Sequence, residues 1–288
     1  MRIFAFIVTY NRLDSLKRVV CCVRNQTQQI DKLIIINNNS TDGTKEWLDT
    51  LEDAEIIHQD NLGGAGGFYT GVKTCYEQGA DWIWMMDDDV FPQNDCLEHL
   101  LKYKDISNCL NTTRYWADGG YVPQLFRYDI ERNVSEALKT DMSAEYQVMN
   151  TCCFEGLLIS SELVKQIGFP DKRFFIAGDD TIYGYLASKH TNVILVKDAI
   201  AIKLQKEGTI KPRPFYTYYF IRNYHLISEY KKKLTGKGFS VFRWFSIVFI
   251  VIRSILKFLY HNDTKMVMAL YRGILDCSKG NIGKTFKS

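Results

Sequence analysis

Residues 3–8 form an unbroken apolar run with β-branched members, the pattern of a strand covered on both faces. Polar Thr9, Tyr10 and Asn11 end it. Across residues 14–25, apolar Leu16, Val19, Val20 and Val23 recur at helical spacing. Residues 33–36 read as a second buried strand, closed by the polar run Asn37 to Ser40. The pattern then predicts a helix over 42–51, a strand over 55–58, a helix over 66–79 and a strand over 82–86. Strands alternating with helices predict an α/β fold with a mostly parallel sheet flanked by helices. Ligands of such sheets gather at the carboxyl ends of the strands. The polar clusters at 9–12, 37–42 and 87–89 all fall at predicted strand ends, so they should converge on one site.

Farther along, 154–159 and 193–196 read as strands and 179–189 as a helix. The composition changes after Pro212 and Pro214, which places a boundary near 215. A catalytic domain is expected over 1–215, its ligand half about 1–90 and its second half about 91–215. A helical, amphipathic region follows over 216–288, beginning with an aromatic-rich helix over 215–230. Residues 241–260 are long enough to suggest a membrane span. However, Arg243, Ser246, Arg253, Ser254, Lys257 and His261 would form one narrow polar stripe on a helix. Charge at the bilayer centre is costly, and a helix lying in the membrane plane avoids that cost. Lys231, Lys232 and Lys233 would add attraction to an anionic membrane surface. The same stripe also suits a helix packed on the catalytic domain or on a partner subunit, which leaves a homo-oligomer open.

Composition alters this picture little. Hydrophobic residues make up 46% and charged residues 24% of 288 positions, an ordinary globular balance. A net charge of +3 gives no reason to expect nucleic acid as a partner. The eight cysteines form no C-x-x-C pair and read as reduced, mostly buried thiols of a cytoplasmic protein. The N-terminal apolar run is too short for a signal peptide and reads as the first strand.

Chemistry is concentrated in Asp87-Asp88-Asp89, directly after the apolar strand. Adjacent carboxylates repel one another unless cations compensate. In an extended segment Asp87 and Asp89 reach one side together while Asp88 turns away. Such hard oxygen ligands suit magnesium or manganese, which commonly also bind substrate phosphates.

Four blocks together resemble the family-2 inverting glycosyltransferases of the GT-A fold: FIVTYNR at 6–12, IINNNSTDGT at 35–44, MMDDDV at 85–90 and FFIAGDDTIYG at 174–184. The block NLGGAGGF at 61–68 is similar to the galactofuranosyltransferase and rhamnosyltransferase branch. The resemblance implies a GT-A, Rossmann-like sheet with a C-terminal helical extension. It implies a nucleotide-sugar donor, a UDP-sugar foremost, in a pocket lined by Thr9, Tyr10, Arg12, Asn37, Asn38 and Asp42. Asn61, Gly64, Gly66 and Gly67 would bring backbone close to that donor. Asp87 and Asp89 would hold the divalent metal, manganese or magnesium, and Asp88 would contact the sugar or ribose. Asp180 would be the general base that takes the proton of the acceptor hydroxyl.

Two departures accompany the resemblance. The family often has a tryptophan before the acidic pair, where this chain has Gly178, which would open the acceptor pocket or change which acceptor fits. The family also often supplies a histidine ligand in the stretch that reads IAIKLQKEG at 200–208. Lys203 or Gln205 stands there instead, so two aspartates, phosphates and water would hold the metal, or Lys203 or Lys206 would neutralise the diphosphate. The expected activity is transfer of galactofuranose from UDP-galactofuranose to a growing, lipid-linked bacterial surface glycan at the inner face of the cell membrane. A dTDP-rhamnose-dependent enzyme is the rival within the class. A nucleotidyltransferase and an inactive nucleotide-binding scaffold subunit are the rivals outside it.

Overall fold

The computed structural model describes residues 1–139, 143–204, 213–238, 249, 251–256, 258 and 263–286. One nine-stranded sheet dominates it. Its first half is parallel: β1 (Ile3–Thr9) lies between β2 (Lys32–Asn37) and β4 (Trp82–Asp87), and β3 (Glu55–His58) extends the edge beyond β2. Between these strands run α1 (Leu13–Arg24), the short α2 (Thr44–Leu48) and α3 (Gly63–Glu77). The alternation along β1 shows why its run is continuously apolar. Phe4, Phe6 and Val8 pack with Phe68, Val72 and Cys75 of α3. Ile3, Ala5 and Ile7 pack with Leu16, Val19, Val20 and Val23 of α1. Both faces are covered, so no position is left for a polar residue.

The second half of the sheet is mixed. Beyond β4 come β10 (Leu157–Ser160), β6 (Cys109–Trp116), β11 (Val193–Lys203) and β5 (Val90–Pro92), and β9 (Tyr146–Met149) also pairs with β11. Strand β10 runs antiparallel to β4 and β6, and β5 and β9 run antiparallel to β11. Six strands thus share one direction and three oppose it, which keeps the sheet mostly parallel. A separate hairpin of β7 (Gln124–Asp129) and β8 (Val134–Leu138) stands off it. Helices α4 (Cys96–Leu101), α5 (Ser161–Ile167) and α6 (Asp179–Ala187) complete this part.

Four expectations shift. The helix expected over 42–51 shrinks to α2, because Asp42 accepts bonds from Leu13 N at 3.1 Å and Thr44 N at 3.2 Å and so builds a turn. The helix expected from residue 66 starts at Gly63, which places four glycines in its first turn and a half. The single helix over 215–230 is two, α7 (Pro214–Arg222) and α8 (Tyr224–Thr235), interrupted at Asn223. Lys231 does not join a surface lysine cluster, since it is buried and donates to Glu131 O at 2.6 Å. All eight cysteines are free, five of them buried.

The C-terminal helix Thr264–Lys279 packs along α7. Most of the amphipathic stretch expected over 241–260 lies outside the described residues. Within it, 251–256 are helical; Val251 is buried against Ile221 and Met266, while Phe249, Ile252 and Leu256 are exposed. Among the described residues, no helix is long and apolar enough to cross a membrane.

Candidate active site

Strands β1 and β4 pair in parallel through Val8 and Asp87, so both chains leave the sheet side by side. Asp88 ties the two exits together. It accepts from Thr9 Oγ1 at 2.8 Å, Tyr10 N at 3.1 Å and Arg12 Nη1 at 3.0 Å. Arg12 also reaches Asp89 at 2.6 Å. A cleft of ≈ 390 Å³ opens here. Thr9, Tyr10, Arg12 and the three aspartates line it together with Asn38, Asn61 and Gly64.

Four predicted residues sit behind the cleft instead. Asn37 is buried, its amide oxygen accepting from Ser40 N at 2.9 Å and its nitrogen 3.1 Å from His58 Nδ1. Asp42 organises the turn already described. Gly66 and Gly67 face inward: a Cβ on Gly66 would fall 2.3 Å from Leu62 Cβ, and one on Gly67 2.3 Å from Val8 Cγ1. Gly67 lets α3 lie against β1 and Gly66 makes room for Leu62 at the start of the same helix, whereas a Cβ on Gly64 would meet nothing within 4 Å.

Asp88 and Asp89 form a turn after β4, and Asp87 and Asp89 still converge. Carboxylate oxygens of Asp87, Asp89 and Glu155 all lie within 4.8 Å of one another. Glu155 is the residue the sequence reading missed. Its signal was an acid inside the apolar segment Phe154 to Ile159. Its two oxygens take short bonds from Lys203 and Arg114. Burial opposes its charge, but Arg114 and Lys203 outweigh that and hold Glu155 down to about 2. Lys203 therefore pairs with this carboxylate; Gln205 and Lys206 lie outside the described residues. Asp87 moves the other way: burial, then repulsion from Glu155, Asp89 and Asp88, pushes it well above the usual carboxylate range.

Asp87, Glu155 and Gly64 also line a second cavity of ≈ 260 Å³, whose far side carries Asp179, Asp180 and Tyr216. Both aspartates occupy the first turn of α6 behind Gly178, which adopts φ +90°. Asp180 Oδ1 accepts from Thr181 N at 2.6 Å. Among the described residues no donor is bonded to its Oδ2. Burial raises Asp180, and burial followed by the neighbouring Asp180 raises Asp179 to about 8.

The loop before α6 is strained, with Phe175 at φ +65° and Ala177 at φ +73°. The junction of α7 and α8 clasps it. Asn223 Nδ2 donates to the carbonyls of Phe174, Ile176 and Ala177 at 3.2, 2.8 and 2.7 Å. Buried Arg222 donates to Arg173 O and Phe174 O, both at 2.9 Å. The ring of Phe175 stacks on Tyr219, 4.8 Å between centroids.

Galactofuranosyltransferase GlfT1 of Mycobacterium tuberculosis is 27% identical over 195 residues, which cover 62% of each chain. The chain thus spans about 62% of that curated relative's length. The dTDP-rhamnosyl transferase RfbF of Shigella flexneri is 25% identical over 181 residues, 62% of this chain and 60% of that one. Among solved structures, GalNAc-T7 with UDP, GalNAc and Mn2+ superposes with a TM-score of 0.60 at 11% identity, over 79% of this chain and 47% of that one, a likeness of fold. The family model described as Glycosyl transferase family 2 matches residues 4–168, more than half of the sequence and the segment that carries the acidic turn and Glu155. The chain belongs to that family and has the GT-A fold.

Proposed function

We propose that this glycosyltransferase inverts configuration, requires a divalent cation and transfers galactofuranose from UDP-galactofuranose. Its acceptor is a growing, lipid-linked bacterial surface glycan met at the inner face of the membrane. One observation carries the reading: two acidic sets face each other across a shared wall. Asp87, Asp89 and Glu155 border the first cavity, Asp180 borders the second, and Asp87 and Glu155 line both.

The three oxygen donors fit a hard cation such as Mn2+ or Mg2+, and Asp87, raised by burial and then by repulsion from Glu155, Asp89 and Asp88, would be relieved by one. When bound, such a cation offsets the charge of the departing nucleotide diphosphate. The similar fold that holds UDP, GalNAc and Mn2+ supports this assignment. The chain's own residues supply the rest. Thr9, Tyr10, Arg12 and Asn38 frame the donor, and Gly64 lets it lie against the backbone. Asp180 accepts the proton of the acceptor hydroxyl as that oxygen bonds to the anomeric carbon and the bond to the diphosphate breaks. A single displacement of this kind inverts the anomeric centre.

The galactofuranose assignment rests on the similarity to the mycobacterial enzyme, and the Shigella relative favours dTDP-rhamnose as the second reading. Family membership decides against a nucleotidyltransferase. Exposed Phe249, Ile252 and Leu256, with Arg253 among them, support contact with an anionic membrane. A panel of nucleotide sugars with a synthetic lipid-linked acceptor tests the whole reading. Transfer from UDP-galactofuranose with an inverted product is expected, and Asp180→Asn should lower kcat by about 10²–10⁴. Transfer from dTDP-rhamnose alone selects the second reading, and no transfer from any donor by folded protein leaves the inactive scaffold.

A further inference from the structure

A third cavity, ≈ 240 Å³, adjoins the candidate base on the side away from the donor. It lies between the β7–β8 hairpin, the start of α6 and helices α7 and α8. Gly178 lines this cavity and the one holding Asp180. Gly178 carries no side chain at this junction, and a Cβ there would lie 3.5 Å from the Phe174 ring. Thr181, which anchors Asp180 from one side, faces the third cavity from the other.

The lining has a distinct chemistry. Among the described residues, no Asp, Glu, Lys, Arg or His contributes to it. Its aromatic walls are Tyr128, Phe220 and Tyr224, the last two edge to face at 5.8 Å. Short polar groups come from Asn133 and Ser135. Phe220 is 50% exposed, although an aromatic ring of that size gains most by burial. A phosphate or a charged headgroup would find no cation among the described residues of this lining. A neutral sugar offers what the walls match: a ring face of C–H groups for the aromatics and hydroxyls for the polar side chains.

We infer that this cavity is a second acceptor subsite, which holds the neutral sugar preceding the one presented to Asp180. The inference rests on the reading that Asp180 activates an acceptor hydroxyl. The glycan would pass over Gly178, with its reacting unit beside Asp180 and the preceding unit between Phe220 and the hairpin. Such an enzyme extends an existing chain better than it starts one.

The test compares an octyl galactofuranoside with the corresponding octyl disaccharide as acceptors, using wild type, Phe220→Ala and Ser135→Trp. Both positions are solvent-accessible, and Ser135→Trp fills the cavity without touching Asp180. For wild type the disaccharide should have the lower KM. Each variant should raise the disaccharide KM roughly tenfold, to near that of the monosaccharide, and leave the monosaccharide KM and both kcat values in place. Equal effects on the two probes, or none on either, overturn the subsite. If neither probe is glycosylated, the functional reading is what fails. Saturation-transfer NMR of the disaccharide then decides the subsite alone: loss of signal from its octyl-linked sugar in both variants upholds it, and unchanged signal overturns it.

Discussion

Glu155 concentrates the electrostatics of the cleft. Arg114 and Lys203 grip it from behind, while Asp87 and Asp89 approach from the front. Removing its charge would leave Arg114, almost fully buried, and Lys203 without their carboxylate. Breaking a buried pair from one side costs about 3–5 kcal/mol, so Glu155→Gln should lower the unfolding free energy by that order and bring the urea midpoint down with it. An unchanged midpoint would show that solvent already compensates the two cations. No sequence pattern could have assigned this role, because the partners lie 41 and 48 positions away and meet only through the pairing of β6 and β11. The aspartate triplet was legible because its members are adjacent and follow a strand. Asp179 gives a second prediction. Folding raises it from 3.8 to about 8, so the fold favours its protonated form. The stability it contributes is complete below about pH 4 and is lost as the pH rises through about 8. Asp179→Asn stays neutral throughout, so its urea midpoint should fall less than that of wild type across this window. Parallel profiles would place the proton elsewhere.

Among the elements, periodic ones were legible and irregular ones were not. Strand β1 and helix α1 announce themselves because each buries a regular set of positions. The hairpin β7–β8 has weak alternation and an exposed outer strand, so nothing in its pattern marked it. The glycine-rich block shows how one pattern can serve two purposes. The resemblance assigns its glycines to the donor, yet Gly67 is where α3 meets β1, Gly66 is where it accommodates its own Leu62, and Gly64 alone of these three faces the cleft. Gly184 is tighter still, since a Cβ there would fall 2.0 Å from the backbone nitrogen of Cys152. Overpacking of this kind costs about 1–3 kcal/mol where side chains can yield, and more where only backbone faces the intruder. The expected order of destabilisation is Gly184→Ala, then Gly67→Ala, with Gly64→Ala close to wild type in stability. Thermal midpoints of the three proteins check it. Gly64→Ala should instead raise the KM for the donor, because the added methyl projects into the cleft.

At the scale of the whole molecule, the change of composition near residue 215 marks a change of architecture that the contacts then bridge. Helix α7 supplies the clasp on the loop that carries Phe175 and Ala177 in left-handed conformations, each costing about 1–3 kcal/mol. That strain persists only while something outside the loop holds it, and Asn223 does so by pointing one amide nitrogen at three carbonyls. The C-terminal helices are therefore part of the machinery that fixes the start of α6, and with it Asp180. Asn223→Ala removes the donor and should cost about 1–3 kcal/mol, with a fall in kcat as the loop relaxes. Asn223→Asp is the sharper test. The aspartate keeps the shape of the side chain but, once ionised, can only accept hydrogen bonds. Set against three carbonyl oxygens, it should destabilise the protein more than alanine does, despite the closer match in size. Its deficit should shrink as acid protonates the new carboxylate and restores a donor. If the alanine variant were the weaker of the two at neutral pH, packing rather than the donated bonds would be holding the loop.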